Sequence, residues 1–107
     1  MERARWWVAF VNFERGQGEQ CVLEDRFQGA WGWMACLASD ADEVRALLAQ
    51  SLAADGLRLV ELDRETPIDT QDISEIDEHL ASNVAALEPG RVSAWGTIHC
   101  YLAAGEA

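Results

Sequence analysis

The chain has 107 residues, half of them hydrophobic and a quarter charged, with 19 acidic residues against 8 basic ones and a net charge of −11. That length supports one domain, residues 1–107, with its own hydrophobic core, and is too short for two; the composition is that of an ordered globular chain. All the basic residues are scattered arginines, so the clustered cations that nucleic-acid binding requires are missing.

Trp6 to Phe13 is rich in β-branched and aromatic residues and reads as a first strand, stopped by Glu14-Arg15-Gly16-Gln17-Gly18, whose glycines suit a hairpin loop. Glu19 to Asp25 is expected as a second strand. Ala30 to Ala38 is a third, with Trp31, Trp33, Ala35 and Leu37 on one face and Gly32, Met34, Cys36 and Ala38 on the other. A helix is expected from about Ala41 to Asp55. Ser39 or Asp40 can cap it, Asp42 and Glu43 suit the positive end of its dipole, and Val44, Leu47, Leu48 and Leu52 form its apolar stripe before a left-handed Gly56.

Leu57 to Leu62 follows as a strand and Thr66 to Asp72 as a loop. A second helix starts between Thr70 and Ser74, where Ser74 and Asp77 approximate a capping box. It carries the stripe Ile73, Ile76, Leu80, Val84 and Leu87 and ends at Pro89-Gly90. Val92 to Leu102 closes the chain as a strand. Strict alternation there sets Val92, Ala94, Gly96, Ile98, Cys100 and Leu102 against Ser93, Trp95, Thr97, His99 and Tyr101.

The order β-β-β-α-β-α-β implies an α+β fold, a two-layer open-faced sandwich, ferredoxin-like or related. It contains a βαβ crossover around Ala30 to Leu62, and both helices are expected on one face of a mostly antiparallel sheet. The layout resembles dimeric ferredoxin-like proteins, among them small cofactor-free monooxygenases and ligand-binding regulatory modules, but shares no motif with them, so no catalytic residue is carried over.

With the helices on one side, Trp31, Trp33, Trp95, Thr97, His99 and Tyr101 fall together on the bare side. A monomer seldom leaves a large contiguous apolar area in water, and Trp and Tyr suit interfaces because they bury area while their N–H and O–H groups keep partners. The expected reading is a non-enzymatic interaction module that forms a homodimer or binds a protein partner through this face. In it Trp95 and Tyr101 are interface anchors with Trp31 and Trp33 beside them, so that Trp95→Ala shifts the assembly state. One alternative is a small-ligand binder or cofactor-free enzyme with a pocket around His99, Trp95 and Tyr101, the imidazole exchanging protons near neutral pH. The plainest alternative is that the first hairpin folds over the rings and makes them ordinary core.

Between Glu61 and Glu88 the sequence places nine acidic residues against the single Arg64. Asp69, Asp72, Glu75, Asp77 and Glu78 are therefore an expected acidic surface, either a solvated helix face or, in an inhibitor-like or immunity-like protein, a site for a basic target. His79, on the same helix, is expected at the surface.

No cofactor is expected. No metal is expected either, because His99 and Cys100 point to opposite sides of a strand and Cys21, Cys36 and His79 follow no zinc spacing; nor is there an EF-hand loop, a Walker sequence, a dinucleotide-binding Gly motif or a nucleophile elbow. Three cysteines, Cys21, Cys36 and Cys100, do not make a disulfide framework and read as reduced, buried thiols. No run approaches the ~20 apolar residues of a membrane span. The apolar stretch after Arg3 and Arg5 lacks the length and cleavage site of a signal peptide, which places the expected location in the cytosol without membrane contact.

Overall fold

In the computed structural model, which describes residues 4–16 and 27–102, four strands form one antiparallel open sheet. They are β1 (Arg5–Arg15), β2 (Phe27–Ala38), β3 (Leu57–Pro67) and β4 (Ser93–Leu102), in the spatial order β3-β1-β2-β4. β1 and β2 pair without interruption from Arg5↔Ala38 to Glu14↔Gly29. β1, rich in Trp, Phe and Val, and β2, with Trp31 and Trp33, take the two central positions, and β3 and β4 the edges.

Among the described residues three helices pack on this sheet: α1 (Ala41–Ala54), α2 (Ile73–Ile76) and α3 (Glu78–Ala85), with a 3₁₀ turn at Thr70–Asp72 leading into α2. α1 forms where the sequence places it. The Asp40 carboxylate accepts the Glu43 N–H at 2.8 Å, Asp42 and Glu43 occupy the first turn, and Gly56 leaves the helix at φ 77°. Because β2 and β3 both run antiparallel to β1, they are parallel to each other, and β2-α1-β3 is the expected crossover with β1 between its strands.

The helices divide between the two faces of the sheet, which corrects the expectation that both share one. On the first face, Val44, Leu48 and Leu52 of α1 bury against Ala9, Val11, Phe13, Met34, Cys36, Leu57 and Leu62; each large aliphatic side chain buried this way contributes ~1.5–3 kcal/mol. On the opposite face, Ile73 of α2 and Leu80 of α3 bury against Val8, Ala35 and Ala94, with Trp6, Trp33, Val84 and Leu87 at the margin. The alternation of Val8 and Ala9 on β1, and of Ala35 and Cys36 on β2, separates the two clusters. The ferredoxin-like order β-α-β-β-α-β is accordingly not the one these residues form. The described elements run β-β-α-β-α-β, and the strand expected at Glu19 to Asp25 lies outside the described residues.

The second helix is also broken. Asp77 is extended (φ −159°, ψ 112°) and caps α3 through its own side chain, which accepts the Leu80 N–H at 3.0 Å. The apolar stripe therefore does not continue across the break: Ile73 and Leu80 are fully buried, and Ile76 is 38% exposed. β3 runs on to Pro67, past its expected end at Leu62, because the register slips at Arg64, whose φ is 57°. A bulge absorbs the irregularity and the strand continues.

Candidate functional site

Among the described residues, length decides which part of the second face α2 and α3 leave uncovered. At 1.5 Å per residue the eight residues of α3 reach about 12 Å, against roughly 36 Å for strands of eleven residues. α2 and α3 therefore cover only the end of the sheet carrying Trp6, Val8, Ala35 and Ala94. The other end keeps two cross-strand rows: Glu61, Asn12, Trp31 and His99 in one, and Asp63, Phe10 and Trp33 in the next.

The rings in these rows touch. Phe10 lies 5.5 Å from Trp31 at a tilt of 42°, and 5.5 Å from Trp33 edge to face; Trp31 stacks on His99 at 4.2 Å and 21°. Such pairs contribute ~0.5–1.5 kcal/mol beyond the area they bury. Trp33 is tucked under the helical end of the face, whereas Trp31 is 39% exposed, the one tryptophan among the exposed large apolar side chains. The Tyr101 hydroxyl donates to Asn12 Oδ1 at 3.2 Å, and beyond it Arg58 pairs with Glu14. Phe10, Asn12, Trp31, Glu61, Asp63 and Arg64 line a concavity of about 380 Å³.

Trp95 is not part of this surface. Its register partner is Met34, while Ile98 pairs with Gly32, so Gly96 and Thr97 together face Trp33 in a bulge. The extra residue reverses the alternation. Trp95 and Ile98 both pack with the α1 cluster, Trp95 edge to face on Phe13 at 5.0 Å. His99 and Tyr101 keep the expected face, and Trp95 lines a separate concavity of about 360 Å³ beside α1 with Leu47, Ser51 and Arg91. His99, Trp95 and Tyr101 thus do not line one pocket. The signal for the bulge is present in the sequence: an isolated glycine, Gly96, inside a strand.

Asp77 holds that bulge. Besides capping α3, its carboxylate accepts the Thr97 N–H at 2.8 Å and the Thr97 hydroxyl at 3.2 Å. Burial raises its pKa, but the N–H groups of Leu80 and Thr97 and the Thr97 hydroxyl outweigh that effect and hold the carboxyl below its ordinary value. A side chain at Gly96 would place Cβ 2.8 Å from Asp77 Oδ2 and 2.9 Å from the Trp33 carbonyl oxygen. Asp77 is therefore a structural clamp between helix and sheet edge. Asp69, Asp72, Glu75 and Glu78 are exposed, as is His79.

The cysteines differ from one another. Cys36 is buried, and burial, with Glu43 nearby, pushes its thiol up to about 12, which leaves it protonated and inert. Cys100, on the edge strand β4, is exposed, a correction to its expected burial. Cys21 and the Gly16 to Gln20 part of the hairpin beyond Gly16 lie outside the described residues, as does the expectation that this hairpin covers the rings. Among the described residues no group of three or more His, Cys, Asp and Glu is placed to hold a metal ion, and no hydrogen bond or ion pair joins His99 to a carboxylate. No helix there is long and apolar enough to cross a membrane.

No protein-family model matches this chain, and neither the curated proteins nor the solved structures yield a significant match.

Proposed function

We propose that this chain is a non-enzymatic, cytosolic interaction module that receives a basic protein partner on the half of its sheet left bare by α2 and α3. The observation that carries the reading is Trp31. An indole in a residue 39% exposed, stacked on His99 and bordered by Glu61, Asp63 and Arg64, combines the anchor residue typical of interfaces with a rim of net negative charge. Charge favours a basic partner over a second copy: each copy carries −11, and a copy brought to this face meets carboxylates with carboxylates unless those rims are offset.

The test is selection of displayed random peptides on the immobilised full chain, with Trp31→Ala as counter-target. Enrichment of basic peptides that fail to bind the variant supports the reading. Peptides that bind both proteins alike, or no enrichment, overturn it. Sedimentation velocity on the wild type separates the self-association reading, since a dimer that Trp31→Ala dissociates would put a second copy on the face instead.

A further inference from the structure

Resting on that reading and deepening it, we infer that the concavity beside Trp31 takes the guanidinium of an arginine side chain from the basic partner. Three features of the site converge on this group. The wall is aromatic: His99, on β4, stacks on one face of the Trp31 ring, while Phe10, on β1 to the other side, sits 5.5 Å away at 42°, an open tilt beside a residue 39% exposed, so a flat cation can lie against the indole face turned away from His99. The rim is anionic: Glu61 and Asp63 are exposed, alternate residues of β3 on the side of the rings, separated by roughly 7 Å of strand; Glu61 offers a carboxylate to a planar donor fork and Asp63 offers chiefly the oxygen that does not accept the Arg64 N–H. The volume, about 380 Å³, lies at the small end of the range for ligand sites, which suits one side chain and not an extended molecule.

Arginine fits these features better than lysine. A guanidinium stacks on an aromatic face and donates two parallel hydrogen bonds to a carboxylate, whereas an ammonium is a compact, strongly hydrated point charge. The chain's own Arg64 borders the same concavity, at a bulge where its N–H donates to Asp63 Oδ1 at 2.8 Å. Its charge opposes an incoming cation, so the arriving arginine meets a rim of two carboxylates partly offset by one resident guanidinium.

The experiment is a ¹H–¹⁵N NMR titration of the full chain with capped Gly-Arg-Gly, Gly-Lys-Gly and Gly-Gln-Gly, reading the indole N–H of Trp31, assigned by loss of its signal in Trp31→Phe. The expected result is a saturable shift with the arginine peptide, about fivefold weaker binding of the lysine peptide, and no saturable shift with glutamine. Asp63→Asn should weaken the arginine peptide by about threefold or more, and Arg64→Gly, which suits the local φ, should tighten it; added salt should weaken it. Equal affinity for arginine and glutamine peptides, or shifts that bypass Trp31, would overturn the inference. If the titration fails while display selection still returns Trp31-dependent peptides, the arginine assignment falls and the interaction face stands. If both fail, the face reading falls as well.

Discussion

Gly96 and Arg64 are both tied to bulges, and their substitutions should move stability in opposite directions. At Gly96 a methyl group meets the Asp77 carboxylate and the Trp33 backbone, neither of which can retreat without breaking the bulge. Gly96→Ala should cost about 2 kcal/mol or more, measurable by urea unfolding. At Arg64 the backbone sits at φ 57°, where a side chain costs ~1–2 kcal/mol and glycine nothing, although glycine's looser unfolded state returns ~0.5–1 kcal/mol of that. Arg64→Gly should therefore stabilise the fold by roughly 0.5–1 kcal/mol. The two described thiols separate by reactivity in the same way. With its pKa pushed up to about 12 inside the α1 core, Cys36 should stay unmodified by iodoacetamide under native conditions while the exposed Cys100 is alkylated; peptide mapping by mass spectrometry reads both sites.

Among the elements, α3 and β4 depend on one carboxylate. Asp77 satisfies the free Leu80 N–H in the first turn of α3 and the displaced N–H of Thr97 together, so a substitution that removes it opens a helix end and a strand bulge at once. Because its pKa is lowered on folding, its contribution is present above the ordinary carboxylate value of 3.8 and is lost as pH falls through the lower folded value. Asp77→Asn keeps a good capping side chain but loses the charge. The stability gap between wild type and variant should be about 1–2 kcal/mol at pH 7, should begin to narrow as pH falls below about 4 and should be lost only below the lower folded pKa; urea unfolding at pH 7 and at a series of acid pH values checks it. The same residue explains where the sequence was legible and where it was not. α1 was readable because its cap, first-turn acids, stripe and terminal glycine all agree. Across Ile73 to Leu87 the spacing of apolar residues fits one continuous helix, and periodicity does not register that Asp77 gains more from capping a new helix and clamping Thr97 than from extending the old one. Likewise, alternation sorted Trp31, Trp33, His99 and Tyr101 correctly and misplaced Trp95, since a single extra residue at Gly96 and Thr97 inverts everything on its N-terminal side.

For the molecule as a whole, the consequence of helices on both faces is that large rings divide into supporting and presenting sets, and stability measurements can tell them apart. Strand pairing alone would not assign them, because Trp31 and Trp95 sit on adjacent strands of one sheet. What differs is cover: α1 lies over the Trp95 side, while α3 is too short to reach Trp31. Trp95 packs edge to face on Phe13 within the α1 core, and its carbonyl oxygen accepts a hydrogen bond from the Asn83 side chain. Trp95→Ala should leave a cavity against α1 and cost ~2–4 kcal/mol, making Trp95 a residue of the fold and transferring the anchor role expected of it to Trp31. Trp31→Ala removes an exposed ring whose main ring contacts are a tilted one with Phe10 and a stack on His99, and should cost only about 1 kcal/mol. Thermal or urea unfolding of the two variants against wild type gives the comparison. A Trp31→Ala loss as large as that of Trp95→Ala would mean that the ring is enclosed in the folded chain, and a surface so enclosed has nothing to present to a partner; a small loss leaves the indole held in place by its neighbours and free to be covered from outside.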